Sequence, residues 1–189
     1  KRLMSLIMKS RTYQLSAQSN KTNAADTKLF SHYPARRLQA EELADAVCQV
    51  TGIPDRYQNI PFGTRAIELA DAEIPSVMLD TFGRPTRVQP LDSERACSPA
   101  ITQALALLNG EIVQQKIKDG NCILNTWIKE KQTDDEIVSR IFVTALARRP
   151  TSLESSQLRE LIKQSTKREE GLQDVMWAVL NSKEFIINH

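Results

Sequence analysis

Asp80, Arg84, Arg87, Asp92, Glu94 and Arg95 crowd into one short stretch of this chain. Guanidinium forks hold carboxylates, sulfates or phosphates bidentately, so Arg84, Arg87 and Arg95 form a candidate anion-binding set. Asp80 and Glu94 are the candidate catalytic carboxylates, because paired carboxyls perform acid–base work on sugars when their separation is right. Gln103 and Asn109 follow a few turns later and could contact a ligand or satisfy buried loop carbonyls. The same residues also have a structural reading. Arginine and glutamate can pair internally to pin a long loop onto its neighbouring helix, and such loops need charged hydrogen bonds. The pinning reading takes precedence, and sequence separation decides nothing about catalysis. Ser98 lacks a G-x-S-x-G elbow and a nearby histidine, so it is read as a helix cap rather than a nucleophile.

Other chemistries find less support. Cys48, Cys97 and Cys122 are far apart, and no C-x-x-C or C-x-x-C-H occurs. That spacing excludes an attached c-type haem and the usual zinc knuckle, and it leaves a single disulfide open. His32 and His189 alone do not make a metal site, and no cofactor is expected in this chain. No apolar run approaches the roughly 20 residues of a membrane-spanning helix. The opening KRLMSLIMKS lacks the apolar core and cleavage site of a secretion signal. With 41% hydrophobic and 25% charged residues, the composition is that of a folded domain rather than a disordered one.

Charge is unevenly spread. Residues 1–37 carry eight basic residues and one acid, whereas residues 38–189 carry 17 basic and 22 acidic. One reading is a basic arm for nucleic acid or an acidic surface; the reading that takes precedence is a solvated first helix and linker whose partner lies in an upstream portion of the protein. Nucleic acid is disfavoured, because a net charge of only +2 does not make the whole chain a polyanion binder by composition.

The positioning elements are helices. Leu3, Leu6 and Ile7 share a helical face within residues 1–11, and the chain opens on Lys1, as expected of a fragment of a larger protein. A polar loop covers 14–28. A helix resumes near Gln39 with Leu43, Ala46, Val47 and Val50 on one face, and Gly52 and Pro54 stop it. Cys48 adjoins that face as packing. Residues 53–98 form a long Pro/Arg-rich insertion, with short extended pieces expected at 64–69 and a helical turn or two at 76–82.

A strong helix is expected over 99–118, from Ile101, Leu105, Leu108, Ile112 and Val113. A turn at 119–121 and a shorter helix over 122–131 follow. Capping boxes at Thr133…Glu136, Thr151…Glu154 and Thr166…Glu169 announce three more helices. Their stripes are Ile137, Ile141, Phe142 and Ala145; Leu158, Leu161 and Ile162; and Leu172, Val175, Met176, Val179 and Leu180. Trp127 and Trp177 lie on or beside such stripes, and Arg148 and Arg149 sit where cations offset a helix C-terminal dipole. The expected fold is all-α: an irregular helical bundle with the insertion at about 53–98, one domain over 1–189, and a compact sub-bundle at about 120–189.

Several pieces carry a family resemblance. They are LIMKSRTY (6–13), RRLQAEELADA (36–46), FGRPTR (82–87), Glu94-Arg95, SPAITQALALLNG (98–110), ALARRPTSLE (145–154) and WAVLNSKEF (177–185). In order and along nearly the whole chain, these resemble the planctomycete-type C-terminal domain of unknown function fifteen-fifty-three, or PSD-one. Family members often read C-x-C-E-R where this chain has Leu91-Asp92-Ser93-Glu94-Arg95, so a thiol-based role there is not expected.

The resemblance implies the C-terminal part of a large exported, extracytoplasmic bacterial protein, preceded by another helical domain. It assigns no reaction. The expected function is therefore a structural or interaction module, not catalytic by itself, that docks on the upstream domain through the apolar face of residues 3–7 and the basic stretch. The alternative is a composite site for an anionic polysaccharide, completed by that upstream domain, with the arginines on the anion and Asp80 or Glu94 transferring a proton.

Overall fold

The computed structural model describes residues 1–26, 28–33, 35–70, 74–84 and 111–188. The chain divides into two compact units, Lys1–Arg37 with Ile187–His189, and Leu38–Ile186. The fold is all-α. Among the described residues the only β-structure is a two-residue antiparallel pair, β1 (Arg36–Arg37) against β2 (Ile187–Asn188).

The larger unit holds the core. Helix α2 (Ala40–Thr51) buries Leu43, Ala44, Val47 and Val50 at helical spacing. It ends on Gly52, whose φ of 74° is the left-handed conformation that closes helices without a Cβ penalty. After α3 (Val77–Thr81), the described chain continues with α4 (Glu111–Lys118) and α5 (Ile123–Lys129). Next come α6 (Asp134–Leu146), α7 (Ser152–Gln164), α8 (Arg168–Leu180) and the short α9 (Lys183–Ile186). Helix α8 is central, packing on α4, α5, α6, α7 and α9. Its Leu172, Val175, Met176, Val179 and Leu180 are all buried, and they meet Leu124 and Trp127 of α5 and Ile137, Ile141 and Phe142 of α6 in one cluster.

The capping boxes of α6 and α7 form as read. Thr133 Oγ1 accepts from the Glu136 amide while Glu136 accepts from the Thr133 amide at 2.8 Å. Thr151 and Glu154 do the same. The third box does not form, because α8 starts one residue later, with Lys167 at its cap. Tertiary anchoring outweighs the local signal there. Arg168 donates to Asp134 Oδ1 and to the Gln132 carbonyl, both at 2.7 Å, and ties the first turn of α8 to the start of α6. Two further expectations change. Residues 64–69 contain a 3-10 turn (Ala66–Glu68) rather than extended chain, because the Asp45 carboxylate accepts from the Ala66 and Ile67 amides. Leu161 stays at the rim of the α7 stripe, 37% exposed, while Ile162 is buried.

Gly171 lies in α8 although glycine costs a helix interior about 1 kcal/mol relative to alanine. A Cβ there would stand 2.9 Å from the Ile162 Cα and 2.8 Å from the Ser165 Oγ, so glycine lets α7 and α8 approach closely. Gly171→Ala is therefore expected to destabilise by about 1–2 kcal/mol in a urea titration despite its better helix propensity. A stabilised variant would show that α7 has room to yield.

The smaller unit is built differently. Helix α1 (Arg2–Met8) buries none of its residues, and no described residue of 1–37 belongs to the buried core. Polar turns hold the unit. Asp26 accepts from the Lys28, Leu29 and Ser31 amides, and the Ser31 hydroxyl and these amides keep its carboxyl well below the usual range. Tyr33 donates its amide to the Ser16 carbonyl at 3.0 Å.

Candidate functional site

Of the candidate anion-binding and catalytic residues, only Asp80 and Arg84 are among those described. Arg87, Asp92, Glu94, Arg95, Cys97, Ser98, Gln103 and Asn109 lie outside the described residues. Ser76 caps α3 by accepting from the Leu79 amide. Gly83, at φ 82°, lets the Arg84 amide return to the Leu79 carbonyl. That turn aims Arg84 back along its own helix. Its Nη2 meets Asp80 Oδ1 at 2.7 Å, with the arginine side chain only 6% exposed and the carboxylate 57% exposed. Arg84 Nη1 is buried with no partner among the described residues.

A second cluster, which sequence reasoning missed, surrounds Lys116 on α4. Its ammonium has three donors and uses all three. It pairs with Asp55 Oδ1 at 2.6 Å and donates to the Ile53 carbonyl at 2.8 Å and to Cys48 Sγ at 3.5 Å. The signal was present in the sequence. Lys116 falls four residues after Ile112 and three after Val113, which puts a charge on an apolar stripe.

Beside the cluster lies an open pocket of about 380 Å³, bordered by Asp45, Cys48, Asp55, Tyr57 and Arg65. Burial, reinforced by the Asp55 carboxylate, pushes the Cys48 thiol up to about 11. Burial and then Asp55 also push the Tyr57 phenol up, so both stay protonated at neutral pH. A protonated thiol is a poor nucleophile, and the ammonium is fully engaged. The Asp45 carboxylate is committed to the 3-10 turn amides and to Arg65 Nε at 3.4 Å. This arrangement bolts α2, α4 and the 53–57 segment together.

Cys48 and Cys122 are free thiols, and burial raises Cys122 as well. Among the described residues no group of three or more His, Cys, Asp or Glu side chains is placed to hold a metal. None of the described helices is long and apolar enough to cross a membrane.

The basic N-terminal unit offers a surface of another kind. Leu3 is 68% exposed, Leu6 70% and Ile7 49%, and Met4 and Met8 are also exposed. These exposed apolar side chains are set among basic residues with a single acid.

No curated protein and no solved structure matches the chain. The sequence model of one family, described as "PSD1: Protein of unknown function (DUF1553)", matches residues 1–162. With most of its length so matched, the chain belongs to the PSD1 family of proteins of unknown function.

Proposed function

We propose that this chain is a structural and interaction module of a larger exported protein, and that its N-terminal unit is the docking surface. The observation that carries the reading is the exposure of Leu3, Leu6 and Ile7 on a helix with no buried residue. Burying side chains of this kind contributes on the order of 1–2 kcal/mol each from half-exposed starting points. Such a contribution is marginal for a partner free in solution, which must also offset lost translational freedom. It suffices for a partner tethered at high effective concentration, as an upstream domain of the same parent protein would be. The net +7 over residues 1–37 adds steering towards an acidic face.

Hydrogen–deuterium exchange over residues 2–8 tests this, measured in the present chain and in the full parent protein. Exchange at least about tenfold slower in the parent is expected, with that protection lost in a Leu3→Asp/Leu6→Asp double variant. Equal exchange in the two proteins, or full protection in the double variant, overturns the reading.

A further inference from the structure

Within the N-terminal unit, Ile7, Tyr13, Leu15 and Phe30 wall a cleft of about 360 Å³, with His32 and Arg36 also lining it. That volume sits at the low end of ligand pockets and suits one or two large side chains. Phe30 is held in the left-handed region at φ 53°, and the residue is 57% exposed, so the aromatic wall stands open. His32 Nδ1 is buried with no hydrogen-bond partner among the described residues, a state that ordinarily costs free energy. We infer that this cleft receives a large apolar anchor residue from an acidic peptide segment, with a flanking carboxylate meeting Arg36.

Charge selects the occupant. The eight basic residues and single acid of 1–37 favour an acidic chain, and they disfavour a second copy, whose own 1–37 segment would bring the same +7. The concave apolar walls favour one inserted side chain over a row of stacked bases, the arrangement that single-stranded nucleic acid requires. This inference rests on the docking reading and names the chemistry of the partner at a cleft that shares Ile7 with the docking helix.

The test uses fluorescence anisotropy with the whole chain and two labelled probes, Glu-Glu-Phe-Glu-Glu and Glu-Glu-Ala-Glu-Glu. The phenylalanine probe is expected to bind at least about tenfold more tightly than the alanine probe. Phe30→Ser should abolish that preference, and Arg36→Glu should weaken both probes, with circular dichroism confirming that each variant stays folded. Equal affinity for the two probes, or a preference that survives Phe30→Ser, overturns the cleft proposal. So does tighter binding to anionic phosphatidylglycerol vesicles or to DNA than to the phenylalanine probe. Residues 2–8 protected in the parent protein while the two probes bind alike would end the anchor proposal alone and leave the docking reading standing.

Discussion

Asp55→Ala is expected to destabilise the protein by about 3–5 kcal/mol, while Lys116→Met costs far less. The asymmetry follows from where the two charges sit. The Lys116 side chain is 8% exposed and the Asp55 side chain 22% exposed. Removing the carboxylate leaves an ammonium that solvent barely reaches, with only a carbonyl and a sulfur as partners. Removing the ammonium leaves a carboxylate that water can still solvate in part, while methionine keeps most of the apolar stem packed beside Val113 and Ile117. Urea denaturation of both variants checks the ordering. A Lys116→Met loss equal to or larger than that of Asp55→Ala would mean that the pair is not the buried bolt described here.

Arg148→Ala should cost about 2–3 kcal/mol and change the response to acid. One guanidinium serves two carboxylates, through Nε and Nη2 to Glu184 at 2.6 and 2.7 Å and through Nη1 and Nη2 to Glu154 at 2.9 and 2.8 Å. The site is 34% exposed, so the magnitude is kept well below that of four full charge-assisted bonds. The Arg148 bond, aided by the Thr151 amide, holds Glu154 down to about 2. A depressed carboxyl contributes its stability fully above its unfolded pKa, roughly 4.3, and loses it as pH falls towards the folded value. The native protein should therefore lose stability between about pH 4.5 and 2, and Arg148→Ala should show a shallower fall over that window. Arg148→Lys should not restore the native profile, because a point charge cannot fork two carboxylates. Parallel acid titrations of the two proteins would contradict this assignment.

The same clamp shows how far the sequence could be read. Arg148 was legible as a cation near a helix C-terminus, and the Thr151…Glu154 box as the start of α7. That Glu154 serves the box and the guanidinium together depends on Glu184, which is 36 residues from Arg148 and has no local signature. Lys116 is a similar case. Its position on an apolar stripe could be noticed, but Asp55 and Cys48 are brought to it only by packing of α4 on α2. The arginine-rich stretch stays partly outside the described residues, and what is described of it, Asp80 with Arg84, is a pair within four residues that local geometry explains.

Read by itself, the amino-acid sequence determined the helical class, the boxes opening α6 and α7, the glycine stop of α2, most of the buried stripes and the basic bias of the first 37 residues. These depend on periodicity and caps, whose interactions span only a few residues. Tertiary structure alone decided the displaced start of α8, the 3-10 turn on Asp45, the Lys116 bolt, the Arg148 fork and the open cleft beside Phe30. Each of these except the cleft turns on a charged or polar group whose partner is distant in sequence. The energy of such a pair is set by burial and approach distance, which helix periodicity does not encode.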